Sequence, residues 1–391
     1  MVKRLRKLKI ISNIFGRCVL GKSALINVNI IATNLCNQHC PMCNTTLMRD
    51  QKNIFTLDLF KEYMQKLKPY NLSSCTISGG EATLVKELPE IIEEAVKHFP
   101  FGVLLITNLY GNTNQIMTTI ESALKNNVNL SISFDGIGET ADILRGAKNV
   151  FETQDKHFQM IQMMKNKINS SSTITLHTVI SNLNLQQLPE IYEYSKKFGW
   201  KHTIAPVNIL YYQNEQFVSR LDFSQELLNM CEYTMSEKHV QMLESYIKGI
   251  ALYACNRAPK LCPYLKSYLK TYKFFLEPDG NVSLCDRQSI GNINEQSIDD
   301  MTRSSQYRNS VKDFENCRGC WMGCFVEPSL RLNPFNGKLI NRLYEMIKNE
   351  IDKSDSKLFS LNNFETKLSE KTCVNLDKLT SESIKISNKL H

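Results

Sequence analysis

Thirteen cysteines sit in this chain of 391 residues, and most fall into two groups whose spacing suits metal ligation. Cys36, Cys40 and Cys43 form the first; Cys255, Cys262, Cys285, Cys317, Cys320 and Cys324 form the second. Ordered spacing of this kind points to metal rather than to disulfides in a reducing compartment. Cys18, Cys75, Cys231 and Cys373 stand alone and read as small buried apolar residues. Three thiolates in Cys36-x3-Cys40-x2-Cys43 can hold three irons of a cubane, whereas a [4Fe–4S] cluster that only carries electrons normally takes four. The fourth iron stays open to a ligand, by the logic that separates open catalytic metal sites from closed structural ones. A zinc knuckle is the alternative, and three cysteines with no fourth ligand nearby suit it poorly.

A loop can present such a site only if rigid elements hold it. Six apolar, β-branched runs supply them: Ile26–Thr33, Ser74–Ser78, Gly102–Thr107, Val128–Phe134, Thr173–Ile180 and His202–Val207. Amphipathic helical stretches alternate with them, such as Leu57–Leu67 and Leu188–Phe198, the latter stopped by Gly199. One βα unit per roughly 30 residues predicts a parallel sheet. Six units do not close an eight-fold barrel, so the fold class expected is α/β: a partial (β/α)6 TIM-like barrel, with a small C-terminal cysteine-rich domain. The first cysteine loop follows the first strand, at the end where such barrels gather their chemistry. The expected division is a basic amphipathic arm (1–24), the barrel (25–207), a helical connector (208–249), the second cysteine group (250–330), and a C-terminal helix with a polar tail (331–391). In the fourth part, strand-like runs Tyr272–Leu276 and Asn281–Leu284 flank the turn Pro278-Asp279-Gly280.

The net charge of +8 is local. Lys3, Arg4, Arg6, Lys7, Lys9, Arg17 and Lys22 have no acid among them, and the rest of the chain is close to neutral. That balance speaks against nucleic acid as a partner. With Leu5, Leu8, Ile11 and Phe15 at helical spacing, the arm is expected to dock on the domain or to make peripheral contact with a membrane. No apolar run reaches the roughly 18 residues of a membrane span, and no secretory signal is seen, so a cytoplasmic location is expected.

The run Asn34-Leu35-Cys36-Asn37-Gln38-His39-Cys40-Pro41-Met42-Cys43 resembles the signature loop of the radical S-adenosylmethionine (SAM) superfamily. The resemblance covers roughly residues 25 to 207. It implies a [4Fe–4S] cluster whose open iron binds SAM, and reductive cleavage of SAM to a 5′-deoxyadenosyl radical that abstracts hydrogen from a substrate. Met42 stands where the family often has an aromatic residue. Ser78-Gly79-Gly80-Glu81 resembles the family's GGE turn, with Ala82 in place of the usual proline; the resemblance assigns its backbone and Glu81 to the SAM amino group. Ser133, Asp135 and Gly136 with Arg145 and Gly146 resemble an SxDG…RG pattern, which implies that Ser133 hydrogen-bonds SAM and Arg145 pairs with its carboxylate. Thr107, Asn108, His177, Asn182 and the run Ala205-Pro206-Val207 fall where ribose and adenine are often lined. His177 also reads as a core histidine.

Cys262, Gly280-x4-Cys285 and Cys317-x2-Cys320-x3-Cys324 resemble the twitch or SPASM extension, which binds auxiliary iron–sulfur clusters. Two cubanes need about eight cysteines. Six are here, so one auxiliary [4Fe–4S] cluster is expected, on Cys262, Cys285, Cys317 and Cys320 with Cys255 or Cys324 as substitutes. Structural zinc is the alternative. The resemblance implies an electron donor such as a flavodoxin or ferredoxin, and peptide or protein maturation as the activity. The other expectations are a lipid or small-metabolite substrate, and, in another class, a non-catalytic cysteine-rich metal protein.

Overall fold

The computed structural model describes residues 12, 27–43, 53–70, 72–208, 221–262, 273–285, 288–315, 317 and 319–353. The basic arm and the polar tail lie outside them, apart from residue 12. The chain divides into two compact units, Met1–Asn341 and Arg342–His391. Of the second, residues up to Lys353 are described, as the C-terminal part of the helix Pro334–Lys353.

Six parallel strands alternate with helices. They are β1 (Asn27–Ile31), β2 (Ser74–Ser78), β3 (Gly102–Thr107), β4 (Asn129–Ser133), β5 (Ile174–Ile180) and β6 (Lys201–Pro206). Helix α1 (Leu57–Leu67) lies between β1 and β2, α2 (Leu88–His98) before β3 and α3 (Thr113–Lys125) before β4. Helices α4 (Glu139–Arg145) and α5 (Val150–Ile168) precede β5, and α6 (Leu188–Lys197) precedes β6. Local chemistry sets several starts. Thr56 caps α1 by accepting from the Leu59 amide at 3.2 Å, and Asn112 caps α3 from the Gln115 amide at 3.1 Å.

The strands pair in the order β6-β5-β4-β3-β2-β1, each beside its predecessor. Right-handed crossovers wound in one direction put every helix on one face of the sheet. That face is apolar and sealed: Val28, Ile30, Ile77, Leu105, Leu130, Ile132 and Leu176 are buried there. The period of two sends Thr76, Ser131, Ser133, Thr175, His177 and Thr203 to the opposite, inner face, polar and less fully covered. An open barrel with a polar interior follows from this alternation.

The sheet does not stop at β1. Strand β7 (Lys273–Leu276) adds in parallel to its free edge, and β8 (Asn281–Ser283) and β9 (Ser289–Asn292) continue antiparallel, giving nine strands in one sheet among the described residues. The β7–β8 turn is tied to α1: Tyr63 Oη donates to the Pro278 carbonyl at 3.0 Å, and Lys66 Nζ to Asn294 Oδ1 at 2.6 Å. Helices α7 (Gln225–Ser236) and α8 (Glu244–Ala254) lie between β6 and β7. After β9 come α9 (Ile298–Met301), α10 (Ser305–Glu315), α11 (Gly323–Leu332) and α12 (Pro334–Lys353).

Candidate active site: a cysteine loop clamped by its neighbours

The loop carrying Cys36, Cys40 and Cys43 leaves the C-terminal end of β1 and is fastened in turn by the loops after β2, β3 and β4. After β2, the Gly80 amide donates to the Thr33 carbonyl at 2.7 Å and the Glu81 amide to the Leu35 carbonyl at 2.8 Å. A Cβ on Gly79 would stand 2.5 Å from the Thr33 oxygen, and one on Gly80 only 2.1 Å from the Leu35 oxygen. The paired glycines therefore serve a close approach of two stretches of the protein's own backbone. After β3, Asn108 Nδ2 donates to Asn37 Oδ1 at 3.0 Å, and Asn37 Nδ2 donates to the Tyr110 carbonyl. After β4, the His39 amide donates to the Arg145 carbonyl at 3.1 Å.

Glu81 is buried and its carboxylate is fully engaged. Oε1 accepts from the Thr83 amide (3.0 Å), Thr83 Oγ1 (2.7 Å) and Thr107 Oγ1 (2.7 Å), and Oε2 from the Asn108 amide (2.7 Å). Four donors on one carboxylate lock the β2 and β3 loops together. Arg145 is buried with its Nη2 2.7 Å from Asp135 Oδ2, while Nη1 points at Cys40 Sγ from 3.9 Å. Its Nε has no hydrogen-bond partner, so the guanidinium keeps a donor for a further acceptor.

The other residues singled out from the sequence are more scattered. Ser78 Oγ donates to Asn29 Oδ1 at 2.7 Å. Ser133 sits beside His177 in register, and His177 Nδ1 shares a hydrogen bond of 2.9 Å with Thr203 Oγ1. Burial first, and the nearby Arg145 charge second, lower the His177 pKa to about 4. Asn182 is exposed and exchanges two hydrogen bonds with Asp222, at 2.8 and 2.9 Å. It braces the chain after β6 rather than the loops around the cysteines.

Cys40 is buried, Cys36 half-buried and Cys43 exposed. Burial pushes the Cys40 thiol up to about 11, against the pull of Arg145 and with the help of Cys43, Asp135 and Cys36. Such a thiol gives up its proton when a cation replaces it, which suits a metal ligand. Among the described residues, no three His, Cys, Asp or Glu side chains converge closely enough for one metal ion. The irons of a cubane occupy separate corners, and three thiols spread along one loop are the donor chemistry it takes.

In the second group, burial raises the Cys320 thiol to about 12, and the charges of Cys324, Cys262 and Cys317 add to it. Those four are neighbours. Cys255 closes α8, its thiol donating to the Leu252 carbonyl at 3.4 Å. One lock, missed in the sequence, holds this region. The Trp321 indole lies flat against α8 at Gly249, where a Cβ would come within 1.8 Å of Cζ2. Trp321 Nε1 donates to the Tyr246 carbonyl at 2.9 Å and Tyr246 Oη returns a bond to the Trp321 carbonyl at 2.7 Å. A lone glycine inside an amphipathic helix was the readable signal.

The family model "Radical SAM superfamily" matches residues 30–195, and "Iron-sulfur cluster-binding domain" (SPASM) matches residues 268–321. The chain thus carries a radical SAM domain and a SPASM domain. Together these two domains imply [4Fe–4S] clusters and SAM as cofactors. The chain is 27% identical over 212 residues to the 7,8-dihydro-6-hydroxymethylpterin dimethyltransferase of Methanocaldococcus jannaschii, covering 53% of this chain and 40% of that one. It is 24% identical over 174 residues to the sporulation killing factor maturation protein SkfB of Bacillus subtilis, covering 44% of this chain and 40% of that one. It is 28% identical over 169 residues to the PqqA peptide cyclase of Bradyrhizobium diazoefficiens, covering 42% of this chain and 41% of that one. The matches thus span about two-fifths of those relatives. In fold it is similar to Streptococcus suis SuiB bound to S-adenosylmethionine (TM-score 0.57, 14% identity, 76% of this chain and 71% of that one). It is likewise similar to anSMEcpe with bound AdoMet and the Kp18Cys peptide (TM-score 0.55, 15% identity, 78% and 88%).

Proposed function

We propose that this protein is a radical SAM peptide maturase, with Cys36, Cys40 and Cys43 holding the SAM-binding [4Fe–4S] cluster and one auxiliary [4Fe–4S] cluster on the second cysteine group. The observation that carries it is the joining of a SPASM extension to the free edge of β1, the strand whose loop bears the first cysteines. Named relatives support the substrate class: SkfB matures a killing factor and the PqqA enzyme cyclises a peptide. When bound, the first cluster supplies an electron that breaks the sulfur–carbon bond of SAM and leaves a carbon radical to take a hydrogen atom.

The chain's own groups do the holding. Glu81, with Thr83, Thr107 and Asn108, fixes the loops around the cysteines and leaves the backbone of Ser78, Gly79 and Gly80 to face the SAM amino group. Arg145 retains Asp135 as one partner and presents Nε to the SAM carboxylate, beside Ser133. Asn182 stays an outer contact of the adenosine side. For the auxiliary cluster we assign Cys262, Cys285, Cys317 and Cys320, with Cys255 and Cys324 as substitutes.

The division into arm, barrel, connector, cluster domain and tail at 24, 207, 249 and 330 is part of this reading. So are a flavodoxin or ferredoxin donor, a cytoplasmic location and contact of the N-terminal arm with a membrane. No helix among the described residues is long and apolar enough to cross one. A small-molecule substrate is the second reading, favoured by the likeness to a pterin dimethyltransferase.

Anaerobic reconstitution followed by reduction with dithionite tests the proposal. The expected result is about eight irons per chain and 5′-deoxyadenosine released from SAM, both reduced by Cys36→Ala, Cys40→Ala or Cys43→Ala. Normal SAM cleavage by any of the three variants would sink it. Mass analysis of small peptides from cells making the active or the triple-cysteine variant then separates peptide from metabolite: a peptide mass change dependent on the cysteines is required.

A further inference from the structure

We propose that Gln154 and His157, on one face of α5, are positioning residues for the SAM pocket. From a helix that carries no cysteine, they hold the loop after β3 in the conformation that seats both the first cysteine loop and SAM. The inference rests on the reading that the loops after β1, β3 and β4 bind SAM. It concerns two residues that play no part in that reading.

The turn after β3 is one the chain does not adopt readily. Leu109 is fully buried there with φ +50°, a left-handed conformation that crowds the Cβ of an L-residue against the following carbonyl. Both of its backbone groups are held. Its amide donates to Thr107 Oγ1 at 3.0 Å, and its carbonyl lies 2.9 Å from His157 Nδ1. A carbonyl only accepts, so Nδ1 carries the proton and Nε2 accepts from Thr113 Oγ1 at 3.1 Å. Three residues earlier on the same helix face, Gln154 Nε2 donates to the Asn108 carbonyl at 2.7 Å and to the Ser133 carbonyl at 2.8 Å. With carbonyls as both partners, the nitrogen of that amide has to be the atom facing them. Gln154 and His157 are both fully buried, so a bond lost here is not replaced by one to water.

What these carbonyls fix is the other side of the loop. Asn108 Nδ2 donates to Asn37 Oδ1 at 3.0 Å, and Asn37 Nδ2 donates to the Tyr110 carbonyl. The residue after Cys36 is therefore clasped from both sides of Leu109. Ser133 ends β4, two residues before Asp135, the partner of Arg145. Gln154 thus ties the C-terminal end of β4 to the loop after β3, and His157 holds the turn that Asn37 leans on. A strained backbone persists only where its surroundings over-determine it. Remove one of these donors and the turn relaxes, carrying Asn37 and the cysteine loop with it.

The test uses the full chain after anaerobic reconstitution. Gln154→Met keeps the length of the side chain and removes its donors; His157→Leu removes the donor to Leu109, whereas His157→Asn places an amide N–H where Nδ1 stands. Iron is counted, and SAM binding is measured by equilibrium dialysis of radiolabelled SAM against the oxidised protein. The expected result is a SAM Kd raised roughly tenfold in Gln154→Met and in His157→Leu, with auxiliary iron retained and His157→Asn close to wild type. Loss of first-cluster iron in His157→Leu that His157→Asn restores also supports the proposal, since the cysteine loop then moves with the turn. Full iron with an unchanged SAM Kd in Gln154→Met or His157→Leu overturns it. Equal losses in His157→Leu and His157→Asn overturn it too, as does loss of both sets of iron in Gln154→Met, because the helix would then be packing alone. Wild-type protein that loads its iron and binds no SAM overturns the underlying reading instead.

Discussion

The His39 amide donates to the Arg145 carbonyl at 3.1 Å, and Gly146, the next residue, lies against the same histidine: a Cβ there would meet the His39 oxygen at 2.3 Å. His39 and Arg145, 106 positions apart in sequence, are thereby joined at the middle of the cysteine loop. The loop after β1 has little structure of its own; its shape comes from the three loops beside it.

Gly146 is accordingly expected to control loading of the first cluster without being a ligand to it. It has φ +56°, a left-handed conformation that costs an L-residue roughly 1–2 kcal/mol. Gly146→Ala adds the clash with His39 and should displace Cys40. We expect loss of about four of eight irons, with the auxiliary set retained. Full iron content together with wild-type SAM cleavage in Gly146→Ala would show that the loop tolerates the shift.

Glu81→Gln separates a structural role from a ligand role. The carboxylate accepts four hydrogen bonds from Thr83, Thr107 and Asn108, and an amide turns at least one of those donors toward another donor. A buried donor left without an acceptor costs about 1–3 kcal/mol. Unfolding in urea without SAM should shift by that amount. An unchanged midpoint, with only SAM affinity reduced, would make Glu81 a ligand and not a brace.

The sequence carried the large elements because they repeat a period. Leu57–Leu67 is helical to the residue, and Ser74–Ser78 and Gly102–Thr107 are strands to the residue, since each is a run of uniform pattern ended by a change of chemistry. Strand β9 was not legible: Ser289-Ile290-Gly291-Asn292 holds one apolar side chain, and it is a strand only because Val282 and Ser283 lie beside it. Site residues divide the same way. The cysteine spacing is local and readable, whereas the engagement of Glu81 by Thr107, of Asn182 by Asp222 and of Asn37 by Asn108 exists only after β1, β2, β3 and β5 are side by side.

The Trp321 lock predicts a pair of compensating variants. Gly249→Ala places a methyl where the indole lies, and should tilt the segment that carries Cys320 and Cys324. Auxiliary iron is expected to fall while the first cluster still cleaves SAM. Trp321→Leu makes room for the methyl, so the double variant should recover part of the iron lost by Gly249→Ala. Lack of any recovery would locate the damage in α8 itself.

His202 gives the protein an acid limit. It is fully buried on β6, and its Nε2 lies 3.0 Å from Thr178 Oγ1, whose own proton goes to the Phe134 carbonyl. Nε2 is therefore the donor of that pair, and Nδ1 is a buried nitrogen with no partner. Protonating it would place a charge where nothing accepts it; burial, and then His177 and His239, hold its pKa well below the usual value of 6.5. Between that lowered pKa and 6.5 the unfolded chain binds a proton that the native chain does not, so stability rises with pH there and falls as pH drops below about 6.5. The slope from one such histidine is at most about 1.4 kcal/mol per pH unit, and His157, His177 and His239 shift in the same direction. Thermal midpoints of wild type and His202→Gln between pH 7.5 and 5.5 check this: the variant starts lower at pH 7.5, and its midpoint should fall less steeply on acidification. Parallel lines would mean that His202 is not the group that titrates.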